Sequence, residues 1–127
     1  MKLQDNLSVL AVDDDSFILD SIEAALAPFG CLLHRAANGK KALALAAKAR
    51  KIDVLLTDVL MPEMNGIELA GAFMARYPGI PILFMSGFIC PSLGRNDPME
   101  VERTFLRKPF SRQALISKLR DALGRRG

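Results

Sequence analysis

Apolar runs alternate with helix-spaced stretches along most of this chain. Leu7 to Val12 is apolar and strand-like, and it stops at Asp13-Asp14-Asp15. Ser16 or Asp15 can then cap a helix. That helix carries Phe17, Ile18, Ile22, Ala25 and Leu26 at helical spacing, with Asp20 and Glu23 outward. Pro28 and Gly30 end it. Cys31 to Ala36 predicts a second short strand, Asn38-Gly39 a turn, and Lys40 to Arg50 an Ala/Leu/Lys helix. Ile52 to Leu56, broken only by Asp53, reads as a buried third strand, and it leads to a carboxylate, Asp58. Pro62, Asn65 and Gly66 are turn and breaker residues.

A third helix follows from about Gly66 to Arg76, with Ile67, Leu69, Ala70 and Phe73 as its inner face, and Tyr77-Pro78-Gly79 stops it. Pro81 to Met85 predicts a fourth strand ending at Ser86-Gly87. Phe88 to Glu102 contains Pro91, Gly94, Asn96 and Pro98. An interior proline costs a helix about 3 kcal/mol, so this segment is expected to be a loop or a short broken helix. Arg103 to Arg107 makes a fifth strand ending at Lys108-Pro109. Ser111 caps a last amphipathic helix with Ala114, Leu115, Leu119 and Leu123 inward, and Gly124 to Gly127 is a frayed basic tail.

Strand and helix in alternation, joined by right-handed crossovers, give a parallel sheet with helices on both faces. The expectation is a flavodoxin-like, doubly wound α/β fold of the (βα)5 type. Its five-stranded parallel sheet has the order 2-1-3-4-5, and the helix between the fourth and fifth strands is short or broken. The switch point then lies between strands one and three, and ligands bind at the carboxyl rim.

The bulk numbers narrow the choice. A chain of 127 residues, half of them hydrophobic, suits a single domain over 1–127 with its core in about 7–124. A net charge of +3 is too small to argue for nucleic-acid binding. Cys31 and Cys90 lack metal-ligand spacing and read as reduced thiols. No signal peptide or bilayer-length apolar run is visible, so a cytoplasmic domain is the default.

The polar residues at the strand ends are Asp13 and Asp14, Asp58, Ser86 and Lys108. Carboxylates gathered on one rim repel one another and call for a counter-charge. Lys108 is one. A hard divalent cation is the other, and Mg²⁺ takes a few carboxylates, waters and a phosphate oxygen. Neither Cys nor His sits near this rim in sequence, which excludes softer metals. The chemistry implied is phosphoryl transfer, with a lysine on the phosphoryl oxygens, a hydroxyl donor, and a carboxylate able to act as nucleophile. Asp15 reads as a helix-start residue, His34 as an edge histidine, Met61 and Met64 as loop packing, and the basic tail as a solvated face.

From Val9 to Leu123 these residues resemble the receiver domain of two-component response regulators. The resemblance rests on Val12-Asp13-Asp14, the segment from Asp58 to Gly66 with Met61-Pro62, the Ser86-Gly87 step, and Phe105 to Phe110 around Lys108-Pro109. It implies that Asp58 accepts a phosphoryl group from a phosphohistidine of a histidine kinase or histidine-phosphotransfer protein. It implies Mg²⁺, with Mn²⁺ able to replace it, on Asp14, Asp58 and the Leu60 carbonyl, with Asp13 acting through water. Lys108, Ser86, Val59 and Gly87 would contact the phosphoryl group, and Ser86 and Phe105 would be the switch pair. Pro109 would follow a cis bond. Met85-Ser86-Gly87-Phe88 with Phe105 to Phe110 is similar to receivers fused to hybrid sensor kinases. Phe105 stands where the family often has Tyr. Such a domain would be non-enzymatic apart from its own phosphorylation and dephosphorylation. It would carry no DNA-binding domain or membrane segment and would be a monomer or weak dimer. A second resemblance, to haloacid-dehalogenase phosphatases, makes Asp13 the nucleophile of an Asp-x-Asp pair. It leaves the Asp58 segment without a role.

Overall fold

The computed structural model describes residues 6–87 and 104–124. Two strands are built on short apolar runs, Val9 to Val12 and Val54 to Leu56, and runs of that kind are stable only when covered on both sides. These are β1 (Ser8–Val12) and β3 (Val54–Asp58), and both are buried throughout. They pair with each other at the centre of a parallel sheet. β2 (Leu32–Ala36) lies outside β1, while β4 (Ile82–Ser86) and β5 (Phe105–Arg107) extend the sheet beyond β3. The order is β2-β1-β3-β4-β5. The flavodoxin-like topology expected from the alternation is therefore the one observed.

Successive strand side chains point to opposite faces, so the core divides in two. On one face Val9, Ala11, Val54, Leu56, Leu83 and Met85 pack under α1 (Ser16–Leu26) and α4 (Arg112–Gly124). On the other, Leu10, Val12 and Leu55 pack under α2 (Gly39–Lys48) and α3 (Gly66–Arg76). Each of the first three helices opens on a side-chain cap. Asp15 Oδ1 accepts from the Phe17 N–H, Asn38 Oδ1 from Lys41, and Asn65 Oδ1 from Glu68. Of the two cap candidates for α1, the structure uses Asp15. Ser111 Oγ accepts from the Ala114 N–H as α4 begins.

Two expectations about the helices need correction. Phe17 is 79% exposed, and Leu19 takes the inward position instead. The cause is the spacing. Leu19, Ile22 and Leu26 lie three and four residues apart and share one face, and Phe17, two residues before Leu19, falls outside it. In α4, Leu115 and Leu119 are buried and Ala114 and Leu123 pack against the same cluster, as expected, with Ile116 and Ala122 buried as well. α2 also ends two residues before Arg50, at Lys48, because Ala49 adopts an extended backbone. The expectation of a loop or broken helix over Phe88 to Glu102 lies outside the described residues, as do Cys90, Arg103 and the basic tail. Cys31 is a free thiol, and burial raises its pKa.

Candidate functional site

The register brings the acids together. Val12 pairs with Thr57, so the next residue of each strand, Asp13 and Asp58, stand side by side. Asp13 is fully buried. Its N–H donates to the Ala36 carbonyl at 3.1 Å, and its Oδ1 accepts from the Asp15 N–H at 2.9 Å. That contact turns the chain into α1 and leaves Asp14 exposed. On the far side of β3, Asp58 pairs with Met85, and Ser86 pairs with Arg107. The Lys108 N–H then donates to the Ser86 carbonyl at 2.7 Å.

From β5 the Lys108 side chain spans the end of β4 to reach both acids. Its Nζ lies 2.8 Å from Asp13 Oδ2 and 3.1 Å from Asp58 Oδ1. The Lys108 side chain is 19% exposed and that of Asp58 10%. Burial pushes the Asp58 carboxyl above its usual pKa, and the Asp13 charge pushes it the same way. Lys108 opposes both, and Asp14 adds a smaller push upward. Burial alone would lower the Lys108 pKa. The hydrogen bond and charge of Asp13, then those of Asp58, more than offset this and raise it. The lysine is thus a fixed cation between two acids.

The loop after β3 explains why Gly66 stands where it does. A Cβ there would collide with the backbone carbonyl of Asp58 and crowd Val59 Cα at 3.0 Å. Only glycine lets α3 start against the strand that carries the acid. The Gly66 N–H donates to the Val59 carbonyl at 2.8 Å, which closes the loop. Within it Glu63 has a φ of 70°, with Met64 N–H donating to the Pro62 carbonyl at 2.8 Å. Met61 is buried in the second core cluster and Met64 packs against it. Leu60 is 58% exposed.

The metal and phosphoryl roles can be compared with this geometry. Asp13, Asp14 and Asp58 each offer an oxygen, all within 4.8 Å of one another. Three hard donors with no sulfur or imidazole fit Mg²⁺ or Mn²⁺. Ser86 is buried at the end of β4, beside exposed Gly87. The Lys108–Pro109 peptide is cis. Val59 does not suit the phosphoryl contact expected of it. The residue is 3% exposed, and its N–H donates to the Met85 carbonyl at 3.0 Å as part of the sheet ladder. Phe105 is already packed inward, 7% exposed, so in this structure the switch aromatic does not face solvent.

Residues 9–120 match the family described as response regulator receiver domain. The chain belongs to that family. This receiver is 32% identical over 95% of its length to the sensor kinase CckA of Brucella abortus, and it spans 13% of that protein. It is 30% identical over 91% of its length to the response regulator receiver protein CpdR of the same organism, covering 95% of it. Among solved structures it superposes on the chemotaxis protein CheY4 of Vibrio cholerae with a TM-score of 0.80. That pair shows 34% identity and covers 93% of this chain and 99% of that one. It is also similar to a solved receiver domain from the hybrid histidine kinase CckA, with 28% identity, a TM-score of 0.74, and coverage of 91% of this chain and 98% of that one.

The phosphatase reading finds no support. Asp13, its nucleophile, is fully buried with Oδ1 on the Asp15 N–H and Oδ2 on Lys108. One residue passed over in sequence has a clear structural role in this receiver. Asp53 looked like a break in an apolar run. Its Oδ2 accepts from the Ser8 N–H at 2.8 Å, and its own N–H donates to the Ser8 carbonyl at 2.8 Å. It thereby pins the start of β1 to β3. A lone buried acid opposite a strand start was the available signal.

Proposed function

We propose that Asp58 accepts a phosphoryl group from a phosphohistidine of a histidine kinase or a histidine-phosphotransfer protein, in a Mg²⁺-dependent reaction. The observation that carries this reading is the Lys108 ammonium held between Asp13 and Asp58. Lys108 occupies Asp58 Oδ1, while Oδ2 has no hydrogen-bond partner among the described residues. Oδ2 attacks phosphorus. The P–O bond forms as the P–N bond breaks, the imidazole nitrogen keeps the electron pair, and Asp58 becomes an acyl phosphate. Burial favours the attack because it weakens hydration of the carboxylate. Asp13, Asp14 and Asp58 would hold Mg²⁺ or Mn²⁺, which supplies charge neutralisation for the phosphoryl oxygens.

Lys108 would stabilise the transferring group, and Ser86 would donate its hydroxyl to the product. Phe17 and Leu60 are large exposed apolar residues next to strand ends that carry the acids. They would give the phosphodonor an apolar landing. A cytoplasmic setting and a single receiver over 1–127 fit this role. Among the described residues no helix is long and apolar enough to cross a membrane. The test is intact-mass measurement after incubation with acetyl phosphate and Mg²⁺. One added phosphoryl group, absent in Asp58→Asn and mapped to Asp58, is expected. No gain with either metal, or a label on Asp13, would overturn the proposal.

A further inference from the structure

We infer that a second binding site, for a small oxyanion such as phosphate, lies at the opposite end of the sheet. β1 separates the two ends by roughly 16 Å at the usual rise per residue. There, a cleft of about 440 Å³ is lined by Ser8, Leu32, His34, Arg50 and Lys51, among others. Ser8 pairs with Leu32, and His34 follows two residues later, so these side chains share one face of the sheet. Ser8 is 1% exposed. Among the described residues, Ser8 Oγ and His34 Nε2 are the two buried side-chain polar atoms that lack a hydrogen-bond partner. Leaving such atoms unpaired is unfavourable, and native folds rarely do so without a ligand or water. The cleft far exceeds the ~30 Å³ share of one water molecule.

The charge around the cleft selects the ligand. Its lining carries two cations, Arg50 and Lys51, and no Asp or Glu. Lys51 pairs with Asp53 at 3.0 Å, and Asp53 also holds the Ser8 N–H, so this carboxylate is matched. Arg50 is exposed and forms no ion pair among the described residues. An oxyanion entering the cleft would accept from Ser8 Oγ–H, from His34 Nε2–H and from the Arg50 guanidinium. Charge-assisted bonds of this kind are the strong ones. Leu32, 59% exposed, and the ends of Arg50 and Lys51 can swing aside to admit it.

His34 is the chain's single histidine, so its imidazole proton signals report the site without assignment. The full chain, without Mg²⁺, is titrated with inorganic phosphate at constant ionic strength set by chloride, and in parallel with acetate. A saturable His34 shift with phosphate and none with chloride is expected. A response to acetate as well would widen the ligand class to carboxylates. Arg50→Ala should raise the apparent Kd about tenfold, equivalent to ~1.4 kcal/mol. Ser8→Ala should weaken binding as well. Lys48→Ala, an exposed cation outside this cleft, should change it less than about twofold. A His34 signal unmoved by phosphate, or a shift that Arg50→Ala leaves intact, would reduce the cleft to a hydrated pocket and overturn the proposal.

Discussion

Two identical substitutions on one helix should have opposite signs. In Gly66→Ala the new Cβ meets the Asp58 carbonyl oxygen, the Asp58 carbon and Val59 Cα, all of them backbone. None can turn aside as a side chain would. The Val59 N–H is tied to Met85, and the Asp58 carbonyl accepts from Thr57 Oγ1 at 3.0 Å. Relief requires moving the end of β3 or the start of α3. Overpacking costs about 1–3 kcal/mol and more where neighbours are rigid, so roughly 3 kcal/mol applies here. A small gain in helix propensity offsets less than ~1 kcal/mol of it. In Gly71→Ala, further along α3, the Cβ meets nothing within 4 Å. There the alanine should stabilise by about 0.8–1 kcal/mol. The gap is about 3–4 kcal/mol, or roughly 10–15 °C in Tm for a domain of this size. Thermal and urea melts of both variants measure it, and acetyl phosphate labelling should be slowed only in Gly66→Ala. A Gly66→Ala melting temperature at or above wild type would refute the close-approach argument.

Other perturbations read the same site. Lys108→Met leaves Asp13 and Asp58 buried side by side without their cation. It should cost about 2–4 kcal/mol at neutral pH by urea melts, and Mg²⁺ should restore part of it. The folded state raises the Asp58 pKa above its ordinary 3.8. Folded protein then binds more protons than unfolded, so this group's contribution falls as pH rises from about that value through the folded pKa. Asp58→Asn should therefore be more stable than wild type at neutral pH without metal, with the difference shrinking on acidification. An equal difference at pH 3 and pH 7 would contradict the shift. Mg²⁺ at about a hundred times its Kd should stabilise wild type by about 2.7 kcal/mol in thermal scans, and Asp14→Asn by much less. Asn65→Ala removes a capping box in which Asn65 Oδ1 and Glu68 Oε1 each accept a backbone N–H, and should cost about 1–2 kcal/mol by chemical denaturation.

The sequence by itself determined the sheet and its order, and which acids end its strands. Strands buried on both faces carry short continuous apolar runs, so β1 and β3 announce themselves, and a carboxylate closing such a run lies at the rim. The receiver motifs followed from the same residues. Tertiary structure decided everything that depends on direction or on contact between distant segments. Asp13 and Asp14 are neighbours of equal chemistry, and only the turn into α1 buries one and exposes the other. Phe17 and Leu19 are both apolar, and only the packing of α1 on the sheet shows that the core takes Leu19. Lys108 reaches Asp13 across 95 residues of chain. Gly66 looked like a turn residue and is in fact the point where a helix touches strand backbone. Composition and periodicity report burial averaged along a segment, and they carry no information about which atom of a remote strand lies within 3 Å.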